Sequence, residues 1–304
     1  MSYQGTSPAT GASVSQTLYR DYRKIFMDEY KRASPMWQRF AKTQTIDGRY
    51  WKEGSMATFG VVPTRREGQG PDFQVLTQGP EKEVTVTGYG SAFGVTKEAL
   101  KDDLHGNLKK APAALATACQ YTLEILFWDN LNSGFVTTVR TGLDAAALFT
   151  ASHTTIAGGT QSNLGTASVL NETSFEAALL HFKTMKNEKG LKIPGAFTPK
   201  YLWIPPDMGP TAHRLLDGME RPGTMDRDVN VNKGKIEIVE IPWLSSTTAW
   251  GILADNYDLR LGWRDMVEYD AYDDPRTKTS VHDGTFRLFV EFYDWRGAYG
   301  NAGA

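Results

Sequence analysis

Cysteine is nearly absent. Cys119 is the one thiol in 304 residues, so no intrachain disulfide braces the fold, and its place on an apolar helix stripe reads as core packing rather than as a nucleophile. Long hydrophobic runs are missing as well. The longest fall far short of the roughly 20 residues that a membrane-spanning helix needs, so no membrane partner is expected. Neither sign of charge dominates: 33 Lys and Arg stand against 35 Asp and Glu, and a formal net charge of -2 argues against a dedicated nucleic-acid binder, whose affinity rests on a basic surface. Met1 to Val14 lack the basic start and apolar middle of a secretion signal, so the expectation is a chain that stays in the cytoplasm where it is made. Asn171-Glu-Thr173 matches a glycosylation acceptor that such a chain would never present to the enzyme. Hydrophobic residues at 40% and charged residues at 22% are ordinary for a folded protein, and the length holds one large domain or two modest ones.

The motifs of catalysis are missing too. There is no Gly-x-x-x-x-Gly-Lys-Ser/Thr loop, no Gly-x-Gly-x-x-Gly opening a helix, no His-Glu-x-x-His, no Cys-x-x-Cys and no Gly-x-Ser-x-Gly. His105, His153, His181, His213 and His282 are scattered, and no two lie at metal-ligand spacing. His153 beside Ser152 and Thr154 evokes an acyl-transfer triad, but without a nucleophile elbow or an oxyanion loop. The acidic run Glu268, Asp270, Asp273 and Asp274 holds the closely placed oxygens that a hard cation or a glycosidase pair requires; it reads first as a solvated turn before Pro275. Trp37, Trp51, Trp128, Trp203, Trp243, Trp250, Trp263 and Trp295 are spread over every segment, as core and interface anchors are, and not gathered as a sugar-stacking wall. No catalytic residue, cofactor or metal is assigned.

What is present is an order of segments. Gln16 to Lys42 predicts an amphipathic helix with an apolar stripe of Leu18, Tyr22, Ile25, Phe26 and Tyr30, broken at Pro35 before Met36, Trp37 and Phe40. No second helix lies nearby in sequence to cover that stripe, so it docks on distant parts of the chain or on another subunit. Arg20, Arg23, Lys24, Lys31, Arg32, Arg39 and Lys42 outnumber Asp21, Asp28 and Glu29 in this stretch; a solvated face explains this, and so does a mildly basic arm facing DNA. Two β-rich runs follow, Ser55 to Val62 and Glu83 to Val95, separated by Pro63 to Pro80 with Arg65, Arg66, Glu67, Asp72 and three glycines. A hairpin that long with so little core needs another surface to lie on. A short helix near Lys97 to Leu108 and a long one near Ala111 to Ser133 come next. The long helix spans roughly 30 Å at 1.5 Å per residue. Pro112 suits a helix start, Gly134 a stop, and Leu104, Leu108, Ala111, Leu115, Cys119, Thr122 and Leu126 a single buried stripe.

Beyond Gly134, Phe135 to Asn171 reads as a long irregular connection. Asn171 to Gly190 predicts a helix, capped by Asn171 or Thr173, with Glu176 at capping-box distance from Thr173. Tyr201 to Ile204 is an apolar strand stopped by Pro205 and Pro206, Asp207 to Asp217 a helix, and Lys235 to Ile241 a strand. Short strands at Thr248 to Leu253 and Asp258 to Trp263 complete an α/β unit. Met266 to Tyr272 and Thr285 to Trp295 close the chain, the last with aromatic residues on both faces.

That order resembles the major capsid (head) proteins of tailed bacteriophages. Glu83 to Asp103 is similar to the family's return strand of the extended loop with its Thr-Lys-Glu, Asp-Asp entry to the spine. Pro199-Lys-Tyr-Leu-Trp-Ile-Pro-Pro-Asp207 with Thr211 to Asp217, and Leu148-Phe-Thr-Ala-Ser-His153 with Asn163-Leu-Gly165, are similar to the Mu-like head subunits. The resemblance implies an α+β tailed-phage major capsid fold: an amino-terminal arm (1–48), an extended β-hairpin loop (49–96), a peripheral domain with the spine helix (97–150 and 264–304) and an α/β axial domain (151–263). It implies a self-assembling shell of hexamers and pentamers in the virion, built in the host cytoplasm, with scaffold, portal and decoration proteins as partners and weak non-specific contact to double-stranded DNA. Arg65, Arg66, Glu67 and Asp72 on the loop, with Tyr22, Phe26 and Trp37 on the arm, are the expected assembly contacts. Some relatives crosslink a loop lysine; Lys52 and Lys82 flank this loop, and neither matches a motif for it. An arm that begins so early implies a separate scaffold or prior cleavage.

Three other readings stand beside it: a nanocompartment shell of the same fold, a tail or baseplate protein, and a carbohydrate-active or metal-dependent enzyme using Glu268, Asp270 or Asp273.

Overall fold

The computed structural model describes residues 11–57, 59–103, 107–156, 158–220, 228–274, 276–277 and 279–304, without the side chains of residues 11–18, 97, 100 and 101. Leu18's side chain, Leu104, His105, Pro275 and the first ten residues, which entered the expectations above, lie outside the described residues.

The chain opens with α1 (Gly11–Arg32) and a single turn α2 (Trp37–Phe40), since Pro35 stops one long helix from forming. Strands β1 (Lys42–Thr45), β2 (Tyr50–Met56), β3 (Gln78–Thr85) and β4 (Thr87–Thr96) follow. The first strand of the loop therefore lies earlier than the Ser55 to Val62 expected, because Pro63 and the glycines leave Ala57 and residues 59–77 without a ladder. The return run is two strands: β3 pairs with β2, whereas β4 joins a different sheet. Helix α3 (Lys97–Asp102) is capped by the Thr96 hydroxyl, which accepts from the Ala99 amide at 3.1 Å, and a 3-10 turn (Asn107–Lys110) leads into α4 (Ala111–Asn132).

Two short strands, β5 (His153–Thr154) and β6 (Thr160–Gln161), form a hairpin inside the expected loop. Helix α5 (Glu172–Thr184) starts at Asn171, whose side chain accepts from Ser174 N at 2.8 Å while Ser174 Oγ accepts from Asn171 N. The capping box is thus Asn171–Ser174, not Thr173–Glu176. Strand β7 (Pro199–Ile204), helix α6 (Gly209–Leu216) and β8 (Glu237–Glu240) make a strand–helix–strand unit with β7 and β8 parallel. Then come β9 (Trp250–Ala254), β10 (Leu259–Asp274), β11 (Thr279–Phe292) and β12 (Ala298–Asn301). The two short strands expected at Asp258 to Trp263 and Met266 to Tyr272 are one continuous strand, β10.

The chain forms two compact units, whose boundary crosses α4, β10 and β11. The first, residues 1–49, 85–126 and 261–289, holds the sheet β1-β10-β11-β4, α1 and most of α4. The second, residues 50–84, 127–260 and 290–304, holds the sheet β12-β9-β7-β8, the ribbon β2-β3, α5 and α6.

Helix α4 is apolar all round, which is why spacing alone misjudged its buried face. Leu115, Ala116, Cys119, Leu123, Phe127 and Leu131 are buried, while Thr122 and Leu126 of the expected stripe are only half-buried. Two polar residues share the buried face and hold the arm: Gln120 Nε2 donates to Tyr30 O at 2.9 Å, and Glu124 accepts from the Met36 amide. Gly134 follows α4 because a Cβ there would sit 2.8 Å from Asn130 O and 2.9 Å from the Phe149 ring. Among the described residues no helix is long and apolar enough to cross a membrane.

Candidate assembly surface

Ala57 and residues 59–77 form a loop closed by its own hydrogen bonds. Ala57 N donates to Thr77 O at 2.9 Å, and the Gln74 amide bridges the two limbs, accepting from Gly60 N at 2.7 Å and donating to Val61 O at 3.2 Å. At the tip Gln69 N donates to Arg66 O at 3.1 Å with Gly68 at φ +78°, the positive dihedral that a type II turn requires of its third residue. What this frame presents is unusual for a water-facing loop. Phe73 is 98% exposed and Val62 82%, with Phe59, Val61, Val75 and Leu76 exposed beside them. Phe59, Val62, Pro63 and Phe73 line a hollow of about 420 Å³ with Arg65 and Asp72 at its rim. The four expected contact residues Arg65, Arg66, Glu67 and Asp72 are all exposed here.

The root of the loop is pinned by ion pairs. On the return strand Lys82 Nζ lies 2.7 Å from Glu291 Oε2, donates to Thr141 O and sits 5.4 Å from the Phe292 ring centroid. Glu291 in turn faces Arg140, whose guanidinium reaches Asp129 at 3.3 Å and the Val290 carbonyl. On the outgoing strand Glu53 accepts from Arg260, which Asp258 also holds at 2.6 Å and which stacks 4.8 Å from the Tyr293 ring. Lys82 is thus fully engaged. Lys52 is the exposed lysine of the pair, in a surface contact with Glu81 at 2.5 Å; that hydrogen bond raises the ammonium and lowers the carboxyl from their ordinary values.

The arm residues sit elsewhere. Tyr22, Phe26 and Trp37 are buried within the first unit: Tyr22 lies 5.1 Å from His282, Phe26 5.0 Å from Tyr269, and Trp37 6.2 Å from Trp263. They hold the arm to its own chain. The charged face of α1, with Arg20, Arg23, Lys24, Lys31 and Arg32, is exposed.

Among the described residues the enzyme alternatives find no site. His153 is fully buried, its Nδ1 2.6 Å from Asp144 and its Nε2 2.9 Å from Asn163 Oδ1, stacked 4.0 Å from Trp295, so no ring nitrogen is left to activate Ser152. Glu268 and Asp270 lie on the exposed face of β10, and Asp274 caps a turn by accepting from Arg276 N at 2.9 Å and Thr277 Oγ1 at 2.8 Å. Among the described residues no three His, Cys, Asp or Glu converge as metal ligands.

The model of a family described as phage capsid protein matches residues 80–301. The chain belongs to that family. It is a capsid protein, a self-assembling structural subunit of the virion and not an enzyme. Solved structures share its fold at low identity. A chain in the structure of Microbacterium phage Oxtober96 is 9% identical at a TM-score of 0.57, with 90% of this chain and 92% of that one covered. The virus-like particle from Pyrococcus furiosus is 9% identical at 0.54, covering 93% and 99%. The procapsid of bacteriophage JBD30 is 15% identical at 0.54, covering 96% and 76%, and the capsid protein spans 64% of the length of the chain in that phage's decorated capsid. No curated protein matches the sequence. Sequence reasoning located the loop from its glycines and prolines, but passed over Phe59, Val61, Val62, Phe73 and Val75; apolar side chains in a stretch without strand alternation were the available signal.

Proposed function

We propose that this capsid protein is the major head subunit of a Mu-like phage, closing as hexamers and pentamers into an icosahedral shell around double-stranded DNA. The exposed apolar loop tip carries the reading. Contiguous apolar surface of this kind marks a protein interface, and a monomer gains nothing by showing Phe73, Val62 and Val61 to water. A loop laid on a neighbouring copy is a heterologous contact, which generates closed rings when the rotation closes. The pinned root, Lys82 with Glu291 and Glu53 with Arg260, fixes the loop's direction before assembly and so lowers the ordering cost of docking. Arg65, Arg66, Glu67 and Asp72 form the polar rim of that interface.

The division into arm (1–48), loop (49–96), peripheral domain (97–150 and 264–304) and axial domain (151–263) belongs to the same proposal. So does the Mu-like affinity, which the segments Leu148–His153, Asn163–Gly165 and Pro199–Asp207 support. The exposed basic face of α1 suits weak contact with packaged DNA, and scaffold, portal and decoration proteins complete the partners. Deleting residues 63–80 should leave a folded protein, seen by circular dichroism, that forms no shells in electron micrographs. Normal shells after that deletion would refute the loop's role. The likeness to the Pyrococcus virus-like particle favours a second reading, a nanocompartment shell. Mass spectrometry of purified particles distinguishes the two, since a nanocompartment carries enzyme cargo and a head carries DNA.

A further inference from the structure

We infer that His282 is an acid-sensitive latch holding the amino-terminal helix α1 against the four-stranded sheet. The ring lies on β11, 1% exposed, where α1, β10 and β4 converge. Tyr22 of α1 covers it at 5.1 Å, Phe93 of β4 stacks at 5.2 Å, and Tyr269 of β10 stacks at 5.9 Å. The Tyr269 hydroxyl lies 2.9 Å from Nδ1, while Nε2 is buried with no hydrogen-bond partner among the described residues. The same aromatic group binds the rest of the arm: Phe26 packs 5.0 Å and Tyr19 6.1 Å from the Tyr269 ring, and the Tyr19 hydroxyl donates to Tyr269 O at 3.4 Å. Two residues along β11 the contact is as close, since a Cβ on Gly284 would meet Phe26, Leu115 and Cys119 at 3.4 Å each.

A neutral imidazole suits this enclosure and an imidazolium does not. Doubly protonated, the ring would bury a charge among aromatic side chains with only Nδ1 beside a hydrogen-bonding oxygen, which is the costly arrangement for a cation out of water. The ionisable groups facing it are Tyr22 on α1, Tyr269 and Asp273 on β10 and Asp283 on its own strand, with Tyr19 behind Tyr269 and Cys119 of α4 beside Gly284. Burial outweighs the opposing pull of Asp273 and Asp283 and holds His282 below its ordinary value. Lifting α1 returns the ring to water, where it titrates near pH 6.5. A depressed value in the latched state means that the latch is at full strength above about pH 6.5 and weakens as pH falls below it. Each pH unit below that point favours release by up to about tenfold, until the latched form itself takes the proton.

Hydrogen–deuterium exchange of the full-length subunit tests this, with rates corrected for the intrinsic pH dependence. Protection of Gly11–Arg32 is compared at pH 7.5 and 5.5 against α5, whose His181 is pushed down to about 4 by burial, then by His153, and stays neutral at both. Wild type should lose up to about tenfold of α1 protection at pH 5.5 while α5 is unchanged. His282→Phe and His282→Gln, neither of which takes up a proton, should each remove the difference. Equal protection of wild-type α1 at the two pH values would overturn the latch, and so would an acid loss that persists in whichever variant folds.

Discussion

Asn163 is the residue whose replacement the structure prices most directly. Its side chain is 1% exposed and makes five hydrogen bonds. Nδ2 donates to Leu148 O at 2.6 Å, Ala298 O at 3.0 Å and Trp295 O at 3.3 Å, while Oδ1 accepts from Thr150 N at 3.0 Å and faces His153 Nε2 at 2.9 Å. Trp295 O keeps a second donor, the Ala298 amide at 3.0 Å, so Asn163→Leu strands four groups: two carbonyls, one amide and one imidazole nitrogen. At about 1 kcal/mol for each buried group left unpaired, the loss is about 4 kcal/mol, high for a single substitution. Asn163→Asp tests the donor half separately, because one carboxylate oxygen would face three carbonyls. That arrangement raises the folded-state value of the new carboxyl, so the variant's stability should fall as pH rises through the ordinary carboxylate range and recover on acidification. Urea unfolding of the unassembled subunit, followed by tryptophan fluorescence at pH 5 and pH 8, reads both effects. A cost below about 1 kcal/mol for Asn163→Leu, or an Asp variant that gains nothing from acid, would refute the hub.

Two further outcomes follow from the same reasoning. Glu291→Leu should cost about 3 kcal/mol because it leaves Lys82 and Arg140, both largely buried, without their shared anion; Lys82→Met should cost less, because Arg140 still faces Glu291. Equal costs in urea titrations would contradict that asymmetry. Asn171→Ala should destabilise by about 1 kcal/mol through loss of the α5 cap, and Thr173→Ala by much less; the reverse order would return the cap to Thr173.

Much of the fold was legible because local rules wrote it. Pro35 and Gly134 ended helices where a missing donor or a close approach demanded it, and Pro112 opened α4. The extended loop declared itself through glycines and prolines that no ladder accepts. The buried face of α4 was not legible, since a helix apolar all round carries no phase. Nor was the split of the return strand, because Thr85 and Thr87 read alike until β4 finds β11 as its partner. Tyr22, Phe26 and Trp37 look the same in sequence whether an apolar stripe meets its own chain or a neighbour; only the folded first unit assigns them to its core. The segments 148–153 and 163–165 were two fragments of a resemblance until Asn163 joined them through hydrogen bonds across ten to fifteen residues. The sequence by itself determined that the first and the long helix stop at Pro35 and Gly134 and that no catalytic motif is present, since those depend on neighbours in the chain. Tertiary structure alone decided which apolar surface is buried inside the subunit and which, at the loop tip, stays exposed, because burial is a property of contacts between residues far apart in sequence.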